Sequence, residues 1–344
     1  MPEKICIVGS GNWGSAIARI VGRNAQTHPE IETTVQMWVF QEQVDGKNLT
    51  DIINETHENV KYLPGFKLPE NVHAEPDLAT AAKDATLLIF VLPHQFLGRI
   101  APQIKGAMAP NAKAISLIKG IEFENGAPKL ISNMIKEQVD NIPTSVLMGA
   151  NVANEVAKDE FCEATIGCVD PVAGAMWEKV FNLDTFRITV VPDVAGVELC
   201  GALKNVVALG AGFCDGLGWG GNTKAAIVRI GIREMQKFCN LFFSGVQNET
   251  FFESCGLADL VTTCYGGRNR KCAAAFVEEG SSKDWEKIEN EMLNGQKLQG
   301  TITSTDVQTC LEAKGCLSEF PLFVNINKIA FQGADAATTL TKGV

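Results

Sequence analysis

The sequence lacks the patterns that define several large functional classes. No Cys-x-x-Cys pair occurs among its 11 cysteines, and it has only 4 histidines. Cys162 and Cys168 are separated by five residues, as are Cys310 and Cys316, and no histidine lies near either pair, so a zinc site is not expected. Several cysteines lie within apolar runs, such as Cys6 in "ICIVG", which predicts reduced thiols in a core and no bound metal.

Positive charge is also scarce. The 344 residues include 30 Lys and Arg against 40 Asp and Glu, which gives a net charge of -10. This balance argues against nucleic acid or an anionic membrane as a partner, so an anionic ligand needs a local cationic pocket. No apolar run approaches the ~20 residues of a membrane span, and a strand pattern begins almost at once, so no signal segment is expected. We expect a cytoplasmic protein.

The pattern of apolar runs changes about halfway along the chain. Up to residue 192, short aliphatic runs such as "KICIVG", "ATLLIFVLP" and "SVLMGAN" alternate with stretches of helical character. This alternation predicts an α/β domain over residues 1–192, with a doubly wound, Rossmann-type and mostly parallel sheet of six to eight strands. Residues 193–344 read as helices and predict a second, all-helical domain, whose last dozen residues are expected to fray.

The strongest local motif is "CIVGSGNWGSAIARIVG", in which Gly9, Gly11 and Gly14 form G-x-G-x-x-G between a strand and a helix. Gly9 permits a tight turn, Gly11 lets backbone amides approach a diphosphate, and Gly14 allows close packing of the helix. The alternative is a turn of small residues without a ligand. The strand and helix on either side favour a dinucleotide.

The position of an acid that would hold the adenosine ribose is unusual. The second strand ends in "MWVFQEQVD", where Glu42 and Asp45 lie farther from the glycines than usual and Phe40 is placed to cover the adenine. No arginine stands at the strand end to meet a 2′-phosphate. The sequence therefore favours NAD over NADP.

Three other strand ends carry polar or aromatic residues, in "LPHQF", "LIKG" and "MGANVA". The carboxyl ends of parallel strands form the ligand crevice of such a sheet. On position alone, Lys119 either bonds surface backbone or faces this crevice, and Phe96 is a candidate wall for the cofactor.

In the second half, Lys204 stands in the apolar segment "GALKNVVALGAG". On a helix its face carries only small or apolar side chains, and the nearest acid, Glu198, lies about 120° away, so its partner must come from elsewhere in the fold or from a ligand. Farther on, "CYGGRNRK" concentrates cations after two glycines. This segment is either a solvated charged loop or a phosphate site, and no aromatic ladder supports nucleic acid.

Seven blocks of the sequence form an ordered pattern along the chain. The blocks are "GSGNWGSAIA", "NETHENVKYLPG", "SLIKG", "MGANVANEVA", "GALKNVVALGAGFCDGLGWGGNTKAAIVR", "DLVTTCYGGRNRK" and "LNGQKLQG". Together they resemble the eukaryotic NAD-dependent glycerol-3-phosphate dehydrogenases. The resemblance runs from about residue 4 to about residue 325, and the sequence departs from the family pattern from about Phe331.

The resemblance implies reversible hydride transfer between NADH and dihydroxyacetone phosphate, giving sn-glycerol 3-phosphate. It makes Lys204 the general acid and base, oriented by Asp259 and assisted by the charge of Lys119, with its pKa lowered by burial and nearby cations. The implied substrate contacts are Lys119, Asn205, Thr263, Arg268 and Asn269. The implied cofactor contacts are Gly9, Ser10, Gly11, Asn12, Trp13, Gly14, Phe40, Phe96, Ala153, Arg268, Lys297 and Gln299.

Further expectations follow from the same resemblance. Lys297 and Gln299 are placed in a loop that closes over the ligands, and the protein is expected to be a homodimer. Two rival functions remain at this point: a related dehydrogenase of another small phosphorylated or carboxylated 2-hydroxy compound, and a non-catalytic NAD-binding protein.

Overall fold

The structure, a computed structural model, describes residues 1–124, 126–278 and 283–344. The chain divides into two compact units, Met1–Lys119 with Ile131–Val194 and Gly120–Leu130 with Ala195–Val344. The main division at residues 194 and 195 lies close to the expected boundary at 192. The second unit also takes in a segment from within the first part of the chain, because a hairpin there packs against a helix of the second unit.

Short strands alternate with helices through the first unit, and the described residues of the chain contain twelve strands. In chain order these strands are β1 (Glu3–Val8), β2 (Ile31–Trp38), β3 (Gln43–Val44), β4 (Lys47–Asn48), β5 (Val72–Glu75), β6 (Leu87–Phe90), β7 (Lys113–Ser116), β8 (Glu122–Glu124), β9 (Ala127–Lys129), β10 (Thr144–Met148), β11 (Cys162–Gly167) and β12 (Phe186–Val191).

Eight of these strands form one sheet, in the order β12-β11-β10-β7-β6-β1-β2-β5. Every neighbouring pair is parallel except β10 and β11. The strand order reverses between β1 and β6, which is the point where an open α/β sheet places its ligand crevice. The predicted doubly wound and mostly parallel sheet is therefore confirmed.

Helices make up most of the rest of the chain. In chain order they are α1 (Asn12–Thr27), α2 (Leu49–Thr56), α3 (Leu78–Ala81), α4 (Leu97–Ile100), α5 (Ile131–Gln138), α6 (Ala153–Ala157), α7 (Pro171–Phe181), α8 (Val194–Gly216), α9 (Gly221–Phe242), α10 (Asp259–Gly266), α11 (Arg268–Val277), α12 (Trp285–Leu293), α13 (Gln299–Lys314), α14 (Pro321–Phe331) and α15 (Ala336–Thr339). Short 3-10 helices cover His94–Phe96, Ala101–Ile104, Glu249–Phe252 and Leu317–Glu319, and a π-helical turn covers Ser254–Ala258.

The sheet of the first unit is buried on both faces. One apolar cluster joins its strands to α1 and α7 and includes the fully buried Trp177 and Phe181. A second cluster joins the strands to α3, α4 and α5 and includes the fully buried Phe90. Because both faces are covered, the strands read as continuous aliphatic runs rather than as alternating patterns.

Helix α8 is the core of the second unit. It is long and apolar enough to cross a membrane by length and composition, but 83% of its most apolar window is buried inside the protein, as in the core helix of a globular domain. Its glycines permit close packing against α11, since a Cβ at Gly212 would lie 2.3 Å from Arg270 O and one at Gly216 would lie 2.3 Å from Ala274 O. The second unit is helical as predicted, with the β8–β9 hairpin as an addition near Ala313 of α13.

The expectation that the last dozen residues fray is wrong. They contain the short helix α15, which is capped by the Asp335 side chain, and Leu340 is fully buried. Asn325 Nδ2 donates to Lys342 O at 2.9 Å and to Leu340 O at 3.4 Å. A single buried leucine and two hydrogen bonds to backbone oxygens hold the tail. Such contacts do not produce a periodic apolar pattern, so the sequence does not indicate them.

Candidate active site

The glycine motif forms a tight turn between β1 and α1. Gly9 has a φ of +126°, and a Cβ there would lie 2.6 Å from Val91 O. A Cβ at Gly14 would lie 2.5 Å from Gly9 O, whereas one at Gly11 would have no atom within 4 Å. Gly9 thus serves the turn, Gly14 the packing of α1, and Gly11 leaves open space beside the backbone.

The N-terminus of α1 is suited to an anion. Its N-cap is Gly11, no side chain caps it, and its first turn carries no acidic residue. Asn12 Nδ2 donates to Tyr62 O at 2.7 Å and to Asn154 Oδ1 at 3.0 Å, and the Trp13 ring packs on Phe186. Because these side chains are engaged elsewhere, the first turn offers its backbone N–H groups, which fits the diphosphate of a dinucleotide.

At the end of β2, Phe40 is 58% exposed, as a residue that covers an adenine should be. Glu42 accepts a hydrogen bond from Tyr62 Oη at 2.6 Å and forms an ion pair with Lys61. The charge of Lys61 is thus paired with Glu42 within the protein. This pairing agrees with NAD as the cofactor, which has no 2′-phosphate to neutralise.

Three further predicted residues follow the carboxyl ends of β6, β7 and β10. Phe96 lies in a 3-10 helix after β6 and is 43% exposed, and Ala153 is the first residue of α6. Lys119 Nζ donates to Gly149 O at 3.0 Å, so this lysine connects the ends of β7 and β10 and does bond backbone. Since these parallel strands end at the same edge as β1, all three residues lie on the edge that carries the glycine turn.

In the second unit, Lys204 is buried with 6% exposure. Its Nζ lies 2.5 Å from Asp259 Oδ1 and 2.8 Å from Thr263 Oγ1. Asp259 and Thr263 are one turn apart on α10, and both are buried. The partner of the lysine thus comes from a different helix, because the face of α8 that carries Lys204 has only small or apolar side chains.

This contact sets the charge balance around Lys204. Burial disfavours the ammonium form, but the Asp259 carboxylate favours it, so the structure adds a stabilising charge that opposes the effect of burial. The neighbouring Cys264 carries no charge, because burial raises its pKa to about 12. All cysteines are free, and the described residues contain no cluster of His, Cys, Asp and Glu that could hold a metal ion.

The remaining substrate residues form a hydrogen-bonded group. Asn269 Nδ2 donates to Asn205 Oδ1 at 2.9 Å, and Asn269 Oδ1 accepts from Gly300 N at 2.9 Å. Arg268 and Asn269 are the first two residues of α11, a ten-residue helix whose N-cap, Gly267, makes no side-chain cap. The exposed Arg268 guanidinium donates to Gln296 Oε1 at 2.9 Å. A helix N-terminus beside an arginine is suited to a phosphate.

The second arginine of this segment has a different surrounding. Arg270 forms an ion pair with Asp215, and the same carboxylate lies 2.7 Å from Lys224 Nζ. Lys224 Nζ also lies 4.3 Å from the centre of the Tyr265 ring. Arg270 is therefore held in a cluster of ion pairs, whereas the Arg268 guanidinium is exposed and bonds Gln296.

The expected loop with Lys297 and Gln299 is only partly a loop. Gln299 is the first residue of α13. Lys297 Nζ lies 2.9 Å from Glu289 Oε2, and the other oxygen of this buried carboxylate accepts from Leu298 N at 3.0 Å. The Glu289 hydrogen bond raises the pKa of Lys297.

The structure connects Lys204, Asp259 and Thr263 directly, and Asn205 with Asn269. The glycine turn, Phe40, Phe96, Lys119 and Ala153 lie in the first unit. Sequence reasoning missed Glu289, which holds Lys297, and the buried Asn59, which contacts the glycine turn. Asn59 lies within the block "NETHENVKYLPG". The signal that the sequence offers for it is an amide side chain among charged residues, shortly before a Pro-Gly turn.

Comparisons with known proteins agree with this geometry. Residues 4–173 match the model of the NAD-dependent glycerol-3-phosphate dehydrogenase N-terminus, and residues 193–341 match that of the C-terminus. The human cytoplasmic NAD(+) glycerol-3-phosphate dehydrogenase is 58% identical over 332 residues, covering 96% of this chain and 94% of the relative. The glycerol-3-phosphate dehydrogenase of Plasmodium falciparum has a TM-score of 0.93 at 46% identity, covering 98% of this chain and 94% of that one. That of Saccharomyces cerevisiae has a TM-score of 0.93 at 43% identity and covers 98% of both chains. The chain therefore belongs to the family of NAD-dependent glycerol-3-phosphate dehydrogenases.

Proposed function

We propose that this chain interconverts dihydroxyacetone phosphate and sn-glycerol 3-phosphate with NAD as cofactor, and that Lys204 is its general acid and base. Family membership supports the reaction. The observation that carries the assignment of Lys204 is its buried contact with Asp259 and Thr263, at 2.5 and 2.8 Å. A non-catalytic NAD-binding protein has no need of a buried proton donor held by a carboxylate and a hydroxyl.

The glycine turn of the first unit fits the diphosphate of the cofactor. The backbone from Ser10 to Gly14, including the backbone N–H groups of Asn12 and Trp13, would hold its diphosphate. Phe40, Phe96, Ala153, Arg268, Lys297 and Gln299 are proposed as its other contacts. When bound, the reduced nicotinamide supplies the hydride that C2 of the substrate accepts.

Lys204 handles the proton. In the direction of reduction, the Lys204 ammonium donates a proton to the carbonyl oxygen as negative charge develops there, and in the reverse direction the neutral amine removes it. Asp259 stabilises the charged form and points Nζ in one direction. Thr263 Oγ1 accepts a second N–H of the ammonium and further limits its rotation.

The substrate is a phosphate dianion, so it requires positive charge that the net charge of -10 does not provide. Arg268 and the backbone at the start of α11 are proposed to bind its phosphate, together with Asn269. Asn205, Thr263 and Lys119 are proposed to bind its oxygens. The side chain of Asn269 bonds Asn205 and Gly300, which fixes the start of α11 in place.

The human relative is named as a cytoplasmic enzyme, and we assign this chain to the same compartment. The family resemblance also supports a homodimer, which stays a prediction. Light scattering of the purified protein tests it, because a mass near 37.1 kDa would identify a monomer and twice that mass a dimer.

The direct test is NADH oxidation with dihydroxyacetone phosphate, for the intact protein and for Lys204→Ala. Loss of a positioned general acid should lower kcat by about 10²- to 10⁴-fold and leave the dissociation constant of NADH nearly unchanged. An intact protein that binds NADH but ignores this substrate would disprove the substrate assignment. Normal turnover by Lys204→Ala would show that this lysine is only a packing residue.

A further inference from the structure

Residues 57–68 form a closed loop beside the glycine turn, which we name the clamp loop. Its two ends are joined where Leu68 N donates to His57 O at 2.7 Å. Inside the loop, the Glu58 carboxylate accepts from Gly65 N at 2.8 Å and lies 3.1 Å from Lys67 Nζ. These internal bonds give the loop a fixed shape of its own.

Asn59 connects the clamp loop to the glycine turn. It has no exposed surface, and its Nδ2 donates both to Ser10 O at 2.8 Å and to Ser15 Oγ at 2.9 Å. Its Oδ1 accepts from Tyr62 N at 3.2 Å, and Ser15 Oγ itself donates to Ser10 O at 3.2 Å. Both N–H groups of the amide are thus used, and they hold the carbonyl group in the middle of the turn.

The position of this carbonyl fixes a group that the cofactor needs. The peptide between Ser10 and Gly11 is planar, so its C=O and its N–H point to opposite sides. When Asn59 holds Ser10 O inward, Gly11 N–H must point away from the clamp loop. Gly11 is also the residue with open space around it, where an added Cβ would meet no atom within 4 Å.

We propose that Asn59 is a positioning residue for the cofactor: it holds the Ser10–Gly11 peptide in the orientation that presents Gly11 N–H to the diphosphate. This inference rests on the proposed function, since it deepens the assignment of the glycine turn to NAD. Asn59 does not touch the cofactor in this scheme and acts only through the peptide.

A purely structural role for Asn59 makes a different prediction. Such a role would affect all ligands of the first unit alike, or would affect folding alone. The positioning role affects only ligands that carry the diphosphate. ADP has this group and adenosine lacks it, so the two compounds separate the roles.

The test uses Asn59→Asp, which keeps the side-chain size and the acceptor for Tyr62 N but removes both donors. Because the added carboxylate by itself repels a diphosphate, the result counts for the inference only if the uncharged Ser15→Ala changes NADH and ADP binding in the same direction. We expect the dissociation constants of NADH and ADP, from NADH fluorescence and its displacement, to rise about 10- to 100-fold. Adenosine binding, kcat at saturating NADH and KM for dihydroxyacetone phosphate should each change less than about threefold. The control is Glu58→Gln, a loop variant that leaves the turn untouched and should bind NADH as the intact protein does.

The inference is overturned if Asn59→Asp folds and binds NADH normally, or if it loses adenosine as strongly as ADP. If thermal unfolding shows that Asn59→Asp does not fold, Ser15→Ala decides, because it removes one partner of Asn59 and one bond to Ser10 O. An increase of about three- to tenfold in the NADH and ADP constants supports the inference, and unchanged constants reject it. An intact protein that binds NADH without reducing dihydroxyacetone phosphate would contradict the proposed function alone.

Discussion

The two units of the molecule treat buried charge differently. Among the described residues with under a tenth of their surface exposed, the second unit contains six with ionisable acidic or basic side chains, namely Glu198, Lys204, Lys224, Glu234, Asp259 and Glu289. The first unit contains one, Asp193, at its very end. The buried polar groups of the first unit are otherwise neutral, as Ser15 and Asn59 are beside the glycine turn.

This difference follows from the work of each unit. Backbone N–H groups and a helix N-terminus bind a diphosphate without any buried charge. Proton transfer requires a group that gains and loses charge, and such a group must be buried with a partner, because an unpaired charge in the interior costs several kcal/mol. We therefore expect the glycine turn of the first unit to be sensitive to added side-chain atoms. The Lys204 site of the second unit should be sensitive to substitutions that change charge.

The largest effect is expected from Asp259→Asn. It removes the carboxylate that pairs with the buried Lys204 and orients its Nζ. We expect kcat for reduction of dihydroxyacetone phosphate to fall by about 10²-fold. Glu312→Gln, an exposed acid of the same unit, is the control. Unchanged kcat would remove Asp259 from the mechanism.

Gly9→Ala tests the first site with a single added carbon. The new Cβ would lie 2.6 Å from Val91 O on a backbone with φ of +126°, so the turn must distort. We expect a loss of about 2 kcal/mol in NADH binding, seen as a KM for NADH raised at least about tenfold. Gly98→Ala adds the same carbon to the first unit where nothing lies within 4 Å, and should leave KM unchanged. Equal KM values for both variants would mean that the turn does not bind the cofactor.

Glu234, a buried acid of the second unit, is expected to make the folding stability depend on pH. Its oxygens each accept at 2.8 Å, from Leu322 N and Phe323 N, at the start of α14, yet burial raises its pKa to about 7 from 4.5. Between these values the folded state keeps a proton that the unfolded state releases. The stabilisation from this group is therefore complete below pH 4.5 and is lost as the pH rises through about 7.

The variant Glu234→Gln isolates this contribution from the other acids. Relative to the variant, the intact protein should lose about 1 to 3 kcal/mol of unfolding free energy between pH 5 and pH 8. Urea denaturation of both proteins across this range measures the difference. A difference that stays constant with pH would mean that Glu234 is already ionised throughout.

The sequence predicts the first site better than the second, for a physical reason. Gly9, Gly11 and Gly14 act through the backbone within one turn, so their spacing alone defines the structure that they form. The contact of Lys204 with Asp259 joins two helices across 55 positions of sequence. Nothing in the local pattern of α8 indicates its partner, and the assignment of Asp259 rested on family resemblance.

The difference between local and non-local contacts also explains why the sequence does not indicate Asn59 and Glu289. Asn59 and Glu289 act through contacts 49 and 8 positions away, and neither interrupts an apolar pattern. The order of the tail is not visible in the sequence because one buried leucine, Leu340, holds it, and a single apolar residue forms no periodic pattern. Contacts made by a single side chain with a partner outside its own segment leave little trace in the local sequence.

The smallest effect is expected at Lys297, a proposed cofactor contact of the second unit whose charge is not buried. Its side chain is 64% exposed, although its partner Glu289 is buried, so the pair combines a solvated charge with an interior one. An exposed lysine contributes little to binding, because water screens its charge. Lys297→Ala should raise KM for NADH by only about two- to fivefold and leave kcat unchanged.

Lys287→Ala is the matched control, since Lys287 is also exposed and lies 4.0 Å from the exposed Glu291. A fall in kcat with Lys297→Ala alone would show that the segment before α13 takes part in the chemical step. The second unit would then use exposed charge for catalysis as well as buried charge.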